Sequence, residues 1–186
     1  MSSSNRRLES APAPSSKPGW NTGEDRLTNG NHMFHFLTSI MRDGTGEPDF
    51  PNVRFPVTAE DIESAERRIG NPFPEQLRKF FCQIGSGFLK APQSDTSRTD
   101  FKYINRFLDP DEVAELFLGE DEDIFPSEGF DDGELPFFEI GDRLYLVLRD
   151  GQVCWPFGDV ISQNLLAFVT ELANNPRFYH EAYGLE

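Results

Sequence analysis

Basic residues are missing from one long stretch of this chain. Between residues 109 and 142 there are 14 acidic side chains and no Lys or Arg, although the 186 residues together carry 17 basic and 32 acidic groups and a formal net charge of −15. Nearly all of the excess charge therefore sits in one segment. A chain without a basic stripe is not expected to bind DNA or RNA directly. Cysteine is also scarce. Cys82 and Cys154 are the only two, too few for a disulfide framework and without metal-ligand spacing, which suits a reducing cytoplasm. No run approaches the roughly 18 apolar residues a membrane helix needs. The opening residues MSSSNRRLESAPAPSSKPGW have no apolar run behind their Arg pair, so no secretory signal is expected there. Finally, no GxSxG, P-loop, dinucleotide fingerprint or HExxH is present, which removes the common sequence signatures of catalysis.

Aromatic residues are abundant instead. Eighteen Phe can build a substantial core, since each ring buries a large area and burial is worth about 25 cal/mol per Å². Residues 1–31 are rich in Ser, Pro, Asn and Gly and are expected to form a disordered or loosely held arm, with Trp20 as its one apolar anchor. Residues 32–56 are expected to form a helix-and-loop extension. In it, Met33, Phe36, Leu37 and Ile40 share one helical face, Gly44 is a stop, and GTGEPDFPNVRFP is a loop. The main domain is placed at 57–186.

Within that domain, Thr58 with Asp61 three residues on predicts a capped helix with Ile62, Ala65 and Ile69 inward and Gly70 at its end. A second helix starts near Pro74 and turns Leu77, Phe80, Phe81 and Ile84 inward. One or two short strands are expected in 88–107. Asp109-Pro110 with Glu112 predicts a third capped helix, with Val113, Leu116 and Phe117 inward and Gly119 as its stop. Strands follow at 135–140, 144–148 and 153–155, with turns at Gly141-Asp142 and Asp150-Gly151. A closing helix carries Leu165, Phe168, Val169 and Leu172, with Ser162 as its candidate cap and Asn174-Asn175-Pro176 as its stop. Phe178, Tyr179 and Tyr183 are expected to fold back onto the core. This order predicts a single α+β domain, with a central antiparallel or mixed sheet flanked by helices, behind a flexible N-terminal arm.

These segments resemble the SUKH superfamily, which includes a yeast regulator of cell-wall synthesis and many bacterial toxin-immunity proteins. The similarity runs from about residue 57 to 178. It is carried by TAEDIESAERRIG, PFPEQLRKFFCQIGSGFL, YINRFLDPDEVAELF, LPFFEIGDRLYLVLRDGQVCWP and SQNLLAFVTELANNP. The resemblance implies binding without catalysis, and a role in neutralising a toxin domain, often a nuclease. Gly85-Ser86-Gly87 and Trp155 look like structural positions of that family. A regulatory or scaffold role of the cell-wall-regulator type is the alternative it implies.

Among site residues, the acidic segment is the candidate partner-binding surface: Glu120, Asp121, Glu122, Asp123, Glu128, Asp131, Asp132 and Glu134. A basic cognate toxin is its electrostatic complement, whereas a merely solvated loop would need neither Phe117, Ile124, Phe125 nor Phe130 among its acids. Those aromatics could equally anchor the loop to the core. No calcium-loop spacing is present, and His32 and His35 lack a third ligand, so no metal or cofactor is expected. Cys82 sits among Phe80, Phe81 and Ile84 and is expected to be a small buried residue. No nucleic acid, membrane or catalytic role is expected.

Overall fold

The computed structural model describes residues 32–44, 52–90, 104–120, 130–131, 133–141, 143–156 and 158–181. Chain contacts divide the protein into Met1–Gly30, which lies outside the described residues, and Asn31–Glu186. Trp20, Ile124, Phe125, Tyr183 and the Gly141-Asp142 turn's second residue also lie outside them.

The second unit is α+β. Eight strands lie side by side in chain order in one sheet: β1 (Arg42–Asp43), β2 (Val53–Phe55), β3 (Ser86–Phe88), β4 (Arg106–Phe107), β5 (Leu135–Gly141), β6 (Leu144–Arg149), β7 (Gln152–Cys154) and β8 (Val160–Ser162). Only the β1–β2 pair is parallel, so the sheet is mixed. Two helices, α1 (Ala59–Ile69) and α2 (Glu75–Gln83), connect β2 to β3. Helix α3 (Pro110–Leu118) connects β4 to β5, and α4 (Leu165–Asn174) and the short α5 (Phe178–Glu181) follow β8.

Local chemistry sets the helix ends. Thr58 and Asp61 form a reciprocal capping box at the start of α1, and Gly70 ends it at φ 80 in the left-handed region, where a residue without Cβ costs least. Asp150 and Gly151, at φ 52 and 79, make the two-residue turn that joins β6 to β7 with the twist a hairpin requires. All seven residues of β5 are buried, as expected of a strand covered on both faces. Its Pro136 falls where the register with β6 slips, so the missing N–H is tolerated at a bulge.

The core is aromatic. Phe138 of β5 packs against Phe107 of β4 at 4.9 Å and Phe168 of α4 at 5.2 Å, and Phe107 meets Phe80 of α2 at 4.4 Å. These four rings are all fully buried, each worth about 1.5–3 kcal/mol over exposure. Tyr179 folds back into this core. Its hydroxyl donates to the Oδ1 of Asn105, whose amide donates to the Pro176 carbonyl at 3.0 Å. The chain after α4 is thereby tied to the entry of β4. Phe178 packs beside Phe168 at 5.5 Å.

Five expectations change. The helix read at residues 33–40 is a five-residue 3-10 turn, His35–Ser39. With three residues per turn, Phe34 and Leu37 fall on one side and are buried, while Phe36 and Ile40 are 40% and 37% exposed. The end of the supposed loop, Val53–Phe55, is strand β2, hydrogen-bonded to β3. Residues 160–162 add strand β8, which carries Ser162, so Asn164 caps α4 instead by accepting from the Ala167 amide at 2.9 Å. The third strand stops at Cys154, leaving Trp155 buried in the turn that follows. Cys82 is exposed, because it points off the inward stripe of Leu77, Phe80 and Phe81 on α2.

Candidate partner-binding face

Helix α3 opens the acidic segment and orients its first charges. Asp109 caps it, its Oδ1 accepting from the amides of Asp111 at 3.0 Å and Glu112 at 2.9 Å, while Glu112 accepts from the Asp109 amide at 3.0 Å. Carboxylates in a first turn also suit the positive end of a helix. Val113, Ala114 and Leu116 face the core. The 3.6-residue period then turns Asp111 and Glu115 to water. Leu118 is 41% exposed at the end of the helix, and Gly119, at φ 68, turns the chain to exposed Glu120.

Other acids of the same segment serve the interior. Glu139, on buried β5, accepts from Arg106 Nε and Nη2 at 2.9 and 2.7 Å, and Glu112 takes Nη1 of the same guanidinium at 2.6 Å. Burial works against the Arg106 charge, but the hydrogen bonds and charges of Glu112 and Glu139 outweigh it and raise the arginine above its ordinary value. One side chain from β4 is thus neutralised by α3 and by β5. Glu134 is fully buried. It accepts from Arg149 Nη1 of β6 at 3.0 Å and, more weakly, from the Asp131 amide at 3.3 Å. Glu134 was expected on the partner surface; its carboxylate instead closes the turn that enters β5 and balances an arginine behind it.

Of the eight candidate residues, Glu120, Asp131 and Glu134 are described, and Asp121, Glu122, Asp123, Glu128 and Asp132 lie outside the described residues. Glu120 and Asp131 are exposed. Arg68 of α1 joins Glu120, at 2.5 Å, to Asp111. The Glu120 hydrogen bond, the largest influence, raises Arg68 above its ordinary value. Asp111, Glu115, Leu118 and Arg68 were not singled out from the sequence. The helical period of α3 carried the signal for the first three, but the placement of Arg68 depends on α1 packing against α3. Phe117 and Phe130 pack half-buried against the core, with Phe130 edge-on to Tyr145 at 6.3 Å, so among the described residues the interleaved aromatics are anchors.

Among the described residues no cluster of three His, Cys, Asp or Glu is placed to hold a metal ion. His32 and His35 meet edge-on, ring centres 5.4 Å apart. No described helix is long and apolar enough to cross a membrane.

No solved structure matches the chain. A curated relative, the "Immunity protein YxxD" of Bacillus subtilis (strain 168), is 25% identical over 134 residues, covering 67% of this chain and 86% of the relative. The family model described as SMI1 / KNR4 family (SUKH-1) matches residues 56–176, a span that holds α1 through α4 and all of the sheet from β3 to β8. The chain belongs to the SMI1 / KNR4 family (SUKH-1).

Proposed function

We propose that this protein is an immunity protein that binds a cognate toxin domain and neutralises it without catalysis, by covering the toxin's active cleft. The observation that carries the reading is the named role of the relative, an immunity protein that aligns with two thirds of this chain. The outward acids of α3 and the residues after it support a basic toxin surface as the partner. Exposed acids accelerate encounter with a basic protein through long-range attraction, and Leu118 supplies an apolar contact beside them. A nuclease domain, basic because it handles phosphate, fits this complement. Action in a reducing cytoplasm agrees with the two free thiols.

The test is capture from the source organism at low and high salt, followed by co-expression. A single basic partner that is partly lost at high salt, and whose toxicity to host cells this protein abolishes, is the expected result. Several signalling or cell-wall partners with no toxicity to suppress would overturn the immunity reading in favour of a regulatory scaffold.

A further inference from the structure

The chain entering the 3-10 turn carries two histidines side by side. Met33 and Phe34 stand between His32 and His35. The His35 amide donates to the His32 carbonyl at 3.1 Å. The four residues therefore close a tight turn, and its first and last side chains leave from neighbouring points of the backbone. Both imidazoles are exposed, with ring centres 5.4 Å apart and planes inclined by 72°.

The residues between the histidines fix the turn to the core. Phe34 is fully buried and packs edge-on against Phe80 of α2 at 5.2 Å. Its amide donates to Gln83 Oε1 of the same helix at 2.9 Å. Leu37, also fully buried, donates its amide to the Phe34 carbonyl at 3.0 Å. The backbone under both imidazoles is thus held from inside while the rings stand in water. Two ligands on a backbone already in place spare an incoming ion part of the ordering cost of binding.

The chemistry selects the occupant. Imidazole suits zinc, copper and nickel, whereas magnesium and calcium take oxygen ligands. Two imidazoles bonded to one tetrahedral ion at about 2.0–2.1 Å have ring centres about 5 Å apart, so the observed spacing needs little adjustment to admit one. Among the described residues no third His, Cys, Asp or Glu joins the pair. The ion therefore keeps water in its remaining positions, as open zinc sites do. A net charge of −15 favours the approach of a cation. We propose that His32 and His35 form a two-ligand chelate for a divalent first-row ion of the zinc class, open to water on its outer side. The pair lies outside residues 56–176, the span matched by the family model, and the chelate does not depend on the function proposed above.

The experiment is a titration of the full chain with zinc chloride, read at the imidazole nitrogens in long-range proton–nitrogen NMR spectra, with magnesium chloride as the hard-ion control. Joint, saturable shifts of the His32 and His35 rings at one zinc per chain are expected, with the His180 ring unmoved and magnesium without effect. His32→Ala and His35→Ala should each weaken zinc binding by about tenfold or more, because a second ligand already in place acts at high effective concentration. Unchanged Phe34 and Leu37 amides show that the turn persists in each variant, and the ring shifts of the parent chain decide the matter without either. Two rings that respond with different affinities, single variants that bind zinc as tightly as the parent, magnesium acting in zinc's place, or zinc shifts confined to Cys82, His180 or the carboxylates would overturn the chelate. None of these readouts involves a toxin, so a failed toxin-neutralisation assay and a failed chelate are separate results.

Discussion

Eight described acids between residues 109 and 142 divide evenly. Asp109, Glu112, Glu134 and Glu139 face caps and arginines within the fold, whereas Asp111, Glu115, Glu120 and Asp131 are exposed. The two groups share one segment and one chemistry, yet they do opposite work. The inward set makes charged arginines tolerable beside a buried sheet, since a buried charge without a partner is expensive. The outward set leaves a field that a basic partner can sense. A net charge read from composition mixes the two, whereas the outward part contributes most to the field outside the protein.

Removing one inward acid should have the largest effect. Glu134→Ala leaves Arg149 without its carboxylate and should cost about 3 kcal/mol in urea unfolding, with the association rate of the basic partner unchanged. A loss below about 1 kcal/mol would mean that the inward set is dispensable. Glu139→Gln should cost less, about 1–2 kcal/mol, because Glu112 still holds Arg106; the same unfolding experiment separates the two.

Reversing the outward set tests the other side of the comparison. Replacing Asp111, Glu115, Glu120 and Asp131 by Lys should slow association with a basic partner about tenfold or more at low salt and flatten its salt dependence. The unfolding midpoint should move little, because exposed ion pairs contribute little to stability. Stopped-flow association across a salt series reads the first, and the urea curve reads the second. An unchanged rate and salt slope would remove the acidic face from the mechanism.

The smallest effect is in titration. Hydrogen bonds from Thr58 hold the Asp61 carboxyl below its ordinary value, while burial raises Asp109. Asp61 therefore contributes stability above its ordinary pKa that is lost as pH falls through its lowered folded value. Asp109 does the reverse: its contribution is present below its ordinary pKa and is lost as pH rises through its raised folded value. Carboxyl-detected NMR should show Asp61 ionising at lower pH than Asp109, and Thr58→Ala should narrow the gap. The opposite order would contradict both assignments.

Much of the fold was legible because its signals are short-ranged. Thr58 with Asp61, and Asp109 with Glu112, settle their helix starts across three residues, and Asp150-Gly151 settles a hairpin within two. Where the signal was ambiguous, the periodicity misled. Met33 to Ile40 fits a 3.6-residue face, but the short segment adopts a three-residue period to bury Phe34 and Leu37. Ser162 looked like a cap until β8 claimed it. For the candidate face, the sequence located the acids but not their directions. Glu134 and Glu120 look alike in a run of carboxylates and differ completely in exposure.

The sequence alone determined the α+β class, the capped ends of α1 and α3, the central β5–β6–β7 strands and the confinement of charge to residues 109–142, because each depends on composition or on neighbours within about four residues. The tertiary structure alone decided which acids point outward. Arg106 and Glu139 are separated by 33 residues, and Arg149 and Glu134 by 15. It also decided that Gln83 of α2 holds the turn that carries His32 and His35. Such partners are brought together by strand register and helix packing, which no local pattern of residues encodes.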